Sequence, residues 1–153
     1  MNSHFDVTRL ANDNSGAKDA YIAFRCMLWP ALTDLESRAE AEEMLRRNGV
    51  AALLARSSDG AYIGFAEVGT REYAEGASTS PVGYLEGWFV LPEWRRRGVG
   101  RALVRAAEEW AKSRGCSEFA SDVVLANEVS IAAHGRLGFE ETERLVCFLK
   151  PID

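Results

Sequence analysis

A short basic segment of the chain combines three consecutive arginines with two glycines. It reads Arg95, Arg96, Arg97, Gly98, Val99, Gly100, and Arg101 follows it. The segment lies between a strand-like run and a helical pattern, where unpaired backbone N–H groups and the helix dipole favour an anion. Glycine lets a pyrophosphate approach the backbone without a Cβ in the way, and arginine donates charge-assisted hydrogen bonds to phosphate. The segment predicts a phosphate-binding turn; a solvated charged turn is the alternative interpretation.

Periodicity and chain breakers predict the elements around this turn. Strands are predicted over 5–11, 50–56, 61–70, 82–91, 118–122 and 139–149. Helices are predicted over 17–29, 33–48, 98–113 and 127–137. The order βααβββαβαβ indicates one mixed α/β domain over residues 1–153, with antiparallel hairpins and one βαβ crossover. Within the strand 82–91, alternation predicts Trp88 and Val90 on one face and Leu85 and Phe89 on the other.

The composition narrows the class of partner. The net charge of −5 disfavours nucleic acid, because phosphate binding needs a basic face, and favours a cationic small molecule. Cys26, Cys116 and Cys147 form no CxxC pair and are odd in number, so neither a disulfide framework nor a metal site is expected. No apolar run reaches the roughly 20 residues of a membrane span, and the polar N-terminus is unlike a signal peptide. We expect a cytoplasmic protein without a membrane partner.

Further motifs lie on both sides of the turn: Gly87-Trp88-Phe89-Val90-Leu91-Pro92 precedes it, and Asn127 and Leu137-Gly138-Phe139 come after the next helix. Together with the turn, they resemble the GNAT superfamily of acetyl-CoA-dependent N-acetyltransferases. The resemblance covers nearly the whole chain. It implies a mixed, mostly antiparallel sheet, flanked by about four helices and splayed between the strands that end at Val90 and Asp122. It also implies an acetyl-CoA site made of Trp88, Phe89, Val90, Arg95, Arg96, Arg97, Gly98, Val99, Gly100, Arg101 and Asn127.

Five further segments carry a narrower resemblance: Leu28-Trp29-Pro30, the loop 73–81, Leu85-Glu86-Gly87, Ala120-Ser121-Asp122 and the stretch 138–144. They resemble one group of GNAT enzymes, the aminoglycoside 6′-N-acetyltransferases. This resemblance implies a substrate pocket lined by Trp29, Tyr73, Glu86, Asp122 and Glu143. Carboxylates there would bind ammonium groups by charge-assisted hydrogen bonds, and the aromatic rings would pack on a sugar face or a cation. Each of these residues also has a structural interpretation, as a core aromatic ring, a helix cap or a surface acid.

Acetyl transfer from a thioester requires a deprotonated amine, so a carboxylate base is expected, and Asp122 or Glu86 is the catalytic candidate. A strand N–H near Val90 is the expected donor to the thioester oxygen. Many GNAT enzymes have a tyrosine four residues before the Gly-Phe pair, where this chain has His134; we expect a packing or partner role for it. No residue has the features of a nucleophile, which favours direct transfer over a covalent enzyme intermediate.

Three functions are compatible with these patterns. The first is acetylation of the 6′-amino group of aminoglycosides, which would confer drug resistance. The second is acetylation of another small polyamine or metabolite amine. The third is a non-catalytic acyl-CoA sensor that retains the phosphate turn without turnover. The family resemblance also implies a homodimer, with the last strand or an aromatic-rich edge as the contact.

Overall fold

The computed structural model describes residues 4–11 and 14–152, so positions 1–3 of the polar N-terminus lie outside the described residues. The elements are β1 (Phe5–Arg9), α1 (Ser15–Leu28), α2 (Asp34–Arg46), β2 (Val50–Ser57), β3 (Tyr62–Arg71), β4 (Val82–Val90), a 3-10 turn (Pro92–Trp94), α3 (Val99–Ser113), β5 (Phe119–Ser121) and α4 (Glu128–Arg136). The strands form one sheet in the order β1-β2-β3-β4-β5. Only the β4–β5 pair is parallel. This architecture confirms the predicted mixed, mostly antiparallel α/β fold.

Helix starts follow the capping signals in the sequence. The predicted capping box of α2 is present: the Thr33 hydroxyl accepts from the Glu36 N–H, and the Glu36 carboxylate accepts from the Thr33 N–H. Asn127 caps α4 by accepting from the Ser130 N–H at 3.1 Å. These caps fix where α2 and α4 begin, and α4 follows directly on the loop that carries Asp122.

The core lies on both faces of the sheet. On one face α3 buries Leu103, Val104 and Ala107 against strand residues such as Leu85 and Ile63. The opposite face is covered by an aromatic cluster that α1 and the sheet build together; its members include Tyr21, Phe24, Phe65 and Phe89. Because both faces are covered, the sheet is rigid at its centre.

Strand β4 contains a β-bulge at Glu86. Glu67 of β3 pairs with Gly87 and the next residue, Val68, pairs with Leu85, so Glu86 is the extra residue on β4. A bulge shifts the alternation of side chains by one position. Leu85 therefore packs into the same core as Trp88 and Val90, not on the face of Phe89. The predicted face of Leu85 was wrong because simple alternation assumes an unbroken ladder.

The predicted last strand at 139–149 does not form. Among the described residues, 140–152 make no strand pairing. We call residues 140–152 the C-terminal segment. Its apolar side chains stay in solvent, with Phe148 92% exposed and Val146 78% exposed. The prediction was wrong because an alternating pattern reports a tendency to extend, whereas a strand also needs backbone pairing with a neighbouring strand, which residues 140–152 do not make here.

Candidate active site

The sheet opens between β4 and β5. These strands pair only where Gly83, Tyr84 and Leu85 face residues 119–121. Beyond Leu85, β4 continues to Val90, and no described strand pairs with it on that side. This opening, which we call the splay, has the position predicted from the family resemblance. It exposes backbone hydrogen-bonding groups that an ordinary sheet would satisfy internally.

The backbone of β4 presents alternate residues to the splay. The Leu91 N–H donates to the Ile63 carbonyl at 3.0 Å, so Leu91 and, two residues back, Phe89 face β3. Trp88 and Val90 therefore face the splay. The Phe89 side chain packs on the α1 side, with its ring 5.8 Å from that of Phe24. Of the three strand residues predicted at the cofactor site, Trp88 and Val90 are placed at the splay and Phe89 is turned away from it.

The turn after β4 has a left-handed backbone at two positions. Arg96 has φ +59° and Gly98, the N-cap of α3, has φ +86°. A Cβ on Gly98 would meet no atom within 4 Å, whereas one on Gly100 would lie 2.7 Å from Trp88 Cζ2. Gly98 is thus needed for its backbone conformation, and Gly100 lets α3 pack closely on Trp88. The free N–H groups at the start of α3, from Val99 onward, lie directly beyond this turn.

The four arginines of the turn have different surroundings. Arg95 donates from Nε to the Val90 carbonyl at 2.9 Å, which ties the turn to the end of β4. The Arg97 guanidinium lies 5.4 Å from the Trp94 ring centroid. Arg96 is exposed. Arg101 lines a cleft of ≈ 90 Å³ together with two further arginines that sequence reasoning missed: Arg105, one turn further along α3, and Arg136 of α4.

Helix α4 meets the splay through His134. Its Nε2 lies 2.9 Å from the Ser121 hydroxyl, and its Nδ1 lies 2.8 Å from the Ser130 carbonyl. The carbonyl can only accept, so Nδ1 is the donor in that contact. The imidazole also packs edge-on against the Trp88 indole at 5.6 Å. His134 therefore joins α4 to β5 one residue before Asp122, consistent with the expected packing role.

Trp29 and Glu86 form one wall of the predicted substrate pocket. Trp29 ends α1, and its ring lies against Gly87, where an added Cβ would be 2.7 Å from Trp29 Cη2. Gly87 directly follows the bulged Glu86, so the Trp29 ring packs against the residue next to the one that carries the carboxylate. The Glu86 side chain is 27% exposed. The bulge and the glycine together create this juxtaposition of an aromatic ring and a carboxylate.

Arg71, at the end of β3, holds the Glu86 carboxylate. Its Nε and Nη2 lie 3.0 and 2.6 Å from the two carboxylate oxygens, and its guanidinium lies 3.4 Å from the Tyr84 ring centroid. Burial alone would lower the pKa of Arg71, but the hydrogen bonds and charge of Glu86, and the charge of Asp122, raise it. Burial and Asp122 raise the pKa of Tyr84 to about 12. Arg71, Tyr84, Glu86 and Asp122 thus form one group; no sequence signal singled out Arg71.

Tyr73 belongs to the loop 72–81, which we call the amine loop. Its ring is 66% exposed. Glu118, at the start of β5, accepts from the N–H groups of Ser78 and Thr79 at 2.9 and 2.7 Å and anchors the far end of this loop. Thr142 of the C-terminal segment donates to the Glu75 carbonyl at 3.2 Å. Glu143, the next residue, is exposed, and no hydrogen bond or ion pair among the described residues links it to Glu86.

A buried ion pair lies beneath Trp29. Arg25 binds Glu67 through Nη1 and Glu40 through Nη2, and its guanidinium stacks 4.7 Å from the Trp29 ring centroid. The Tyr21 hydroxyl donates to Glu67 at 2.6 Å. Burial and the charge of Glu67 raise the pKa of Tyr21, so it remains a donor. Sequence reasoning missed this pair because a single buried arginine has no pattern.

The remaining reactive groups are separate from the site. Cys116 is buried, and burial raises the pKa of its thiol. A protonated, buried thiol is a poor nucleophile, which agrees with direct transfer. Within residues 4–11 and 14–152, no three His, Cys, Asp or Glu side chains are arranged to hold a metal ion. No helix in that part of the chain is long and apolar enough to cross a membrane.

Known proteins match the chain over most of its length. The acetyltransferase (GNAT) family matches residues 19–139. An aminoglycoside N(6′)-acetyltransferase type 1 of Klebsiella aerogenes is 46% identical over 136 residues, which are 87% of this chain and 90% of that protein. A protein of the same description from Acinetobacter baumannii is 45% identical over 133 residues, 86% and 90% of the two chains.

Solved structures are similar over almost the entire fold. Aminoglycoside N-acetyltransferase AAC(6′)-Iy in complex with CoA has a TM-score of 0.92 at 38% identity, covering 99% of this chain and 98% of that one. AAC(6′)-Iy with the bisubstrate analogue CoA-S-monomethyl-acetylneamine has a TM-score of 0.90 at 39% identity, covering 98% and 100%. The chain therefore belongs to the acetyltransferase (GNAT) family, and it is a relative of the aminoglycoside 6′-N-acetyltransferases.

Proposed function

We propose that this protein transfers the acetyl group of acetyl-CoA to the 6′-amino group of aminoglycoside antibiotics and thereby confers resistance. The observation that carries the proposal is that the carboxylates of Glu86 and Asp122 share one group of residues, on the strands β4 and β5 that form the splay. An aminoglycoside carries several ammonium groups, which carboxylates bind by charge-assisted hydrogen bonds. The relatives named for this activity, and the structure holding a CoA–acetylneamine analogue, support the same substrate.

Acetyl-CoA supplies the activated acetyl group as a thioester. The residues that would hold it are the splay-facing backbone of Trp88 and Val90, and the N–H groups at the start of α3 with Arg96 and Arg101 around them. The exposed backbone edge and the open, left-handed Gly98 fit an extended ligand that ends in phosphates. The Val90 N–H is the donor we assign to the thioester oxygen. Asn127, which caps α4, remains the candidate for the pantetheine end.

Asp122 is the group we assign as base, with Glu86 as the anchor for an ammonium group. Both Glu86 oxygens are engaged by Arg71, whereas Asp122 is exposed just after β5. A base close to the attacking amine speeds transfer by roughly 10²–10⁴-fold, and holding the amine in line with the thioester supplies much of the rest. Trp29 and Tyr73 would pack on the sugar rings.

We also propose that the protein acts as a cytoplasmic homodimer of single-domain chains. The C-terminal segment exposes Leu145, Val146, Phe148 and Leu149, which is an unusual concentration of apolar surface in an otherwise acidic chain. The outer edge of β5 has no strand beside it in the described structure. Addition of one chain's C-terminal segment to the sheet of another would bury the apolar side chains and pair the free backbone edge of β5. It would also hold Glu143, the remaining residue of the predicted pocket, near an amine loop.

The test is CoA release from acetyl-CoA with 6′-amino aminoglycosides, their 6′-hydroxy analogues and spermidine. We expect turnover only of the 6′-amino drugs, and kcat lower by about 100-fold or more in Asp122→Asn. Asp6→Asn is the matched control, because Asp6 is exposed on β1, at the opposite edge of the sheet. Equal kcat in Asp122→Asn and wild type would remove Asp122 from the mechanism.

The same panel separates the alternative functions. Turnover of spermidine with no turnover of any drug would assign the enzyme to another polyamine. Binding of CoA by calorimetry without release from any amine would assign the fold to an acyl-CoA sensor. Either result would leave the family assignment in place and overturn the drug-acetylation proposal.

A further inference from the structure

Arg71 places a positive charge in the pocket assigned to a cationic substrate. Its two N–H groups satisfy both oxygens of Glu86, and its flat guanidinium lies on Tyr84. A substrate ammonium needs the same Glu86 oxygens and the same aromatic face. Arg71 and an ammonium group at Glu86 are therefore mutually exclusive in this geometry.

The surroundings of Arg71 allow its side chain to leave. Arg71 is the last residue of β3, and the amine loop begins at the next position. Its side chain is 43% exposed, so rotation into solvent requires no change in the strand. Ion pairs near the surface contribute up to about 1 kcal/mol, about fivefold in an equilibrium constant, and a bidentate, stacked pair such as this one lies at the upper end of that range. A polyvalent cation that binds Glu86 and Asp122 together can offset a cost of this size.

We propose that Arg71 sets the affinity of the amine pocket: it occupies the Glu86 subsite in the free protein as an internal cation and yields it to the substrate. This inference rests on the proposed function, since it takes Glu86 as the ammonium anchor. In the free state Arg71 neutralises one of the two carboxylates, Glu86 and Asp122. Displacing Arg71 costs the same free energy whichever ammonium group takes its place, and a ligand with several ammonium groups can offset that cost by also engaging Asp122. An aminoglycoside can therefore bind where a monoamine gains too little to displace Arg71.

Arg71→Gln tests this assignment by removing the internal cation. We expect the Kd of neamine, measured by titration calorimetry with CoA present, to fall by about fivefold, the upper end of the range for a surface ion pair, because this pair is bidentate and stacked. Binding should also weaken more steeply with added salt, because the pocket carries one more negative charge. The Kd of a monoamine probe such as glucosamine should fall by no larger a factor, because the free energy of displacing Arg71 is the same for both ligands.

Two further variants complete the experiment. Arg71→Lys keeps the positive charge but loses the planar guanidinium that binds both Glu86 oxygens. Its Kd for neamine should lie between those of wild type and Arg71→Gln. Arg56→Gln is the matched control: Arg56 also stacks on a tyrosine, Tyr62, and lies on β2 away from the site, and its neamine Kd should equal that of wild type.

A higher neamine Kd in Arg71→Gln, restored by Arg71→Lys, would show that Arg71 orients Glu86 and would overturn the proposal. If wild type also acetylates no aminoglycoside, the proposed function is overturned too. If wild type is active, this Kd result overturns only the role of Arg71.

Discussion

Glu86 shows how much of a site can depend on a single extra residue in a strand. As an ordinary member of β4 it would point to the face opposite Leu85 and Gly87 and pair across the ladder. As the bulged residue it is released from the β3 register, and its carboxylate reaches Arg71. The residue after it, Gly87, then leaves room for Trp29. The carboxylate and the aromatic ring of the pocket are therefore set by backbone geometry over two positions.

Gly87→Ala tests this dependence at the residue scale. The new Cβ would lie 2.7 Å from Trp29 Cη2 and 3.3 Å from Leu28 Cδ2, so the indole must move. We expect KM for the aminoglycoside to rise about 2- to 30-fold, the contribution of one aromatic contact to a cation, with KM for acetyl-CoA unchanged. Steady-state kinetics with each substrate varied in turn measures both.

Gly16→Ala is the control for this change. Gly16 lies in the first turn of α1, and its added Cβ would meet only Asn14 Oδ1, at an ordinary 3.8 Å. Both KM values should stay at the wild-type level in this variant. Equal increases of the two KM values in Gly87→Ala would indicate a general disturbance of the sheet and would remove Trp29 from the amine pocket.

The residues of the candidate site were predictable to different degrees. Trp88, Gly98 and Asn127 lie in motifs with fixed spacing, so the sequence places them relative to a strand end and two helix starts. Arg71 and Arg25 were not predictable, because each acts through a partner 15 or 42 positions away. Such pairs depend on strand register and helix packing, which a single sequence does not specify.

At the scale of elements, the amine loop is held by Glu118. The Thr79 hydroxyl and the N–H groups of Ser78 and Thr79 donate to its carboxylate, and these hydrogen bonds lower the pKa of Glu118. A lowered pKa means that the folded state favours the carboxylate. The contribution of this contact is therefore present above the ordinary value of 4.5 and is lost as the pH falls through the lowered pKa.

Glu118→Gln should loosen the amine loop while leaving the sheet intact. A neutral amide accepts more weakly than a carboxylate and cannot serve all these donors equally. We expect faster hydrogen exchange at the amides of residues 78 and 79 and a higher KM for the aminoglycoside, because Tyr73 belongs to this loop. Glu109→Gln, an exposed acid on α3, should change neither quantity. Unchanged exchange at residues 78 and 79 in Glu118→Gln would show that Glu118 does not hold the loop.

Most elements were predictable from the sequence, and the exception is informative. The helices α2 and α3 were predicted within about two residues of their ends, since Thr33, Glu36 and Gly98 mark their starts chemically. The strand 139–149 was wrong, although its residues alternate as well as those of β1. Local pattern reports what a segment can do, whereas pairing depends on which edge is within reach of the chain.

At the scale of the whole molecule, the C-terminal segment is the part that a single chain leaves unburied. Phe148, Leu149 and Ile152 are all more than 90% exposed. Burying side chains of this size would each contribute about 1.5–3 kcal/mol, so a second chain that covers them gains substantially. An extended segment and a free sheet edge are also complementary in their backbone hydrogen bonds. The two features together argue for strand addition between copies.

This argument predicts a dimer that one backbone change abolishes. Light scattering after size-exclusion chromatography should give twice the mass of one chain for wild type. Val146→Pro removes an N–H donor from the segment and should give the mass of one chain, because proline cannot continue a ladder. Phe148→Asp should also dissociate the dimer, by placing a charge in the buried contact.

Leu35→Asp is the control: it changes a comparably exposed apolar residue on α2 and should leave the dimer intact. A single-chain mass for wild type would contradict strand addition, whereas a dimer that survives Val146→Pro but not Phe148→Asp would mean that side chains alone make the contact.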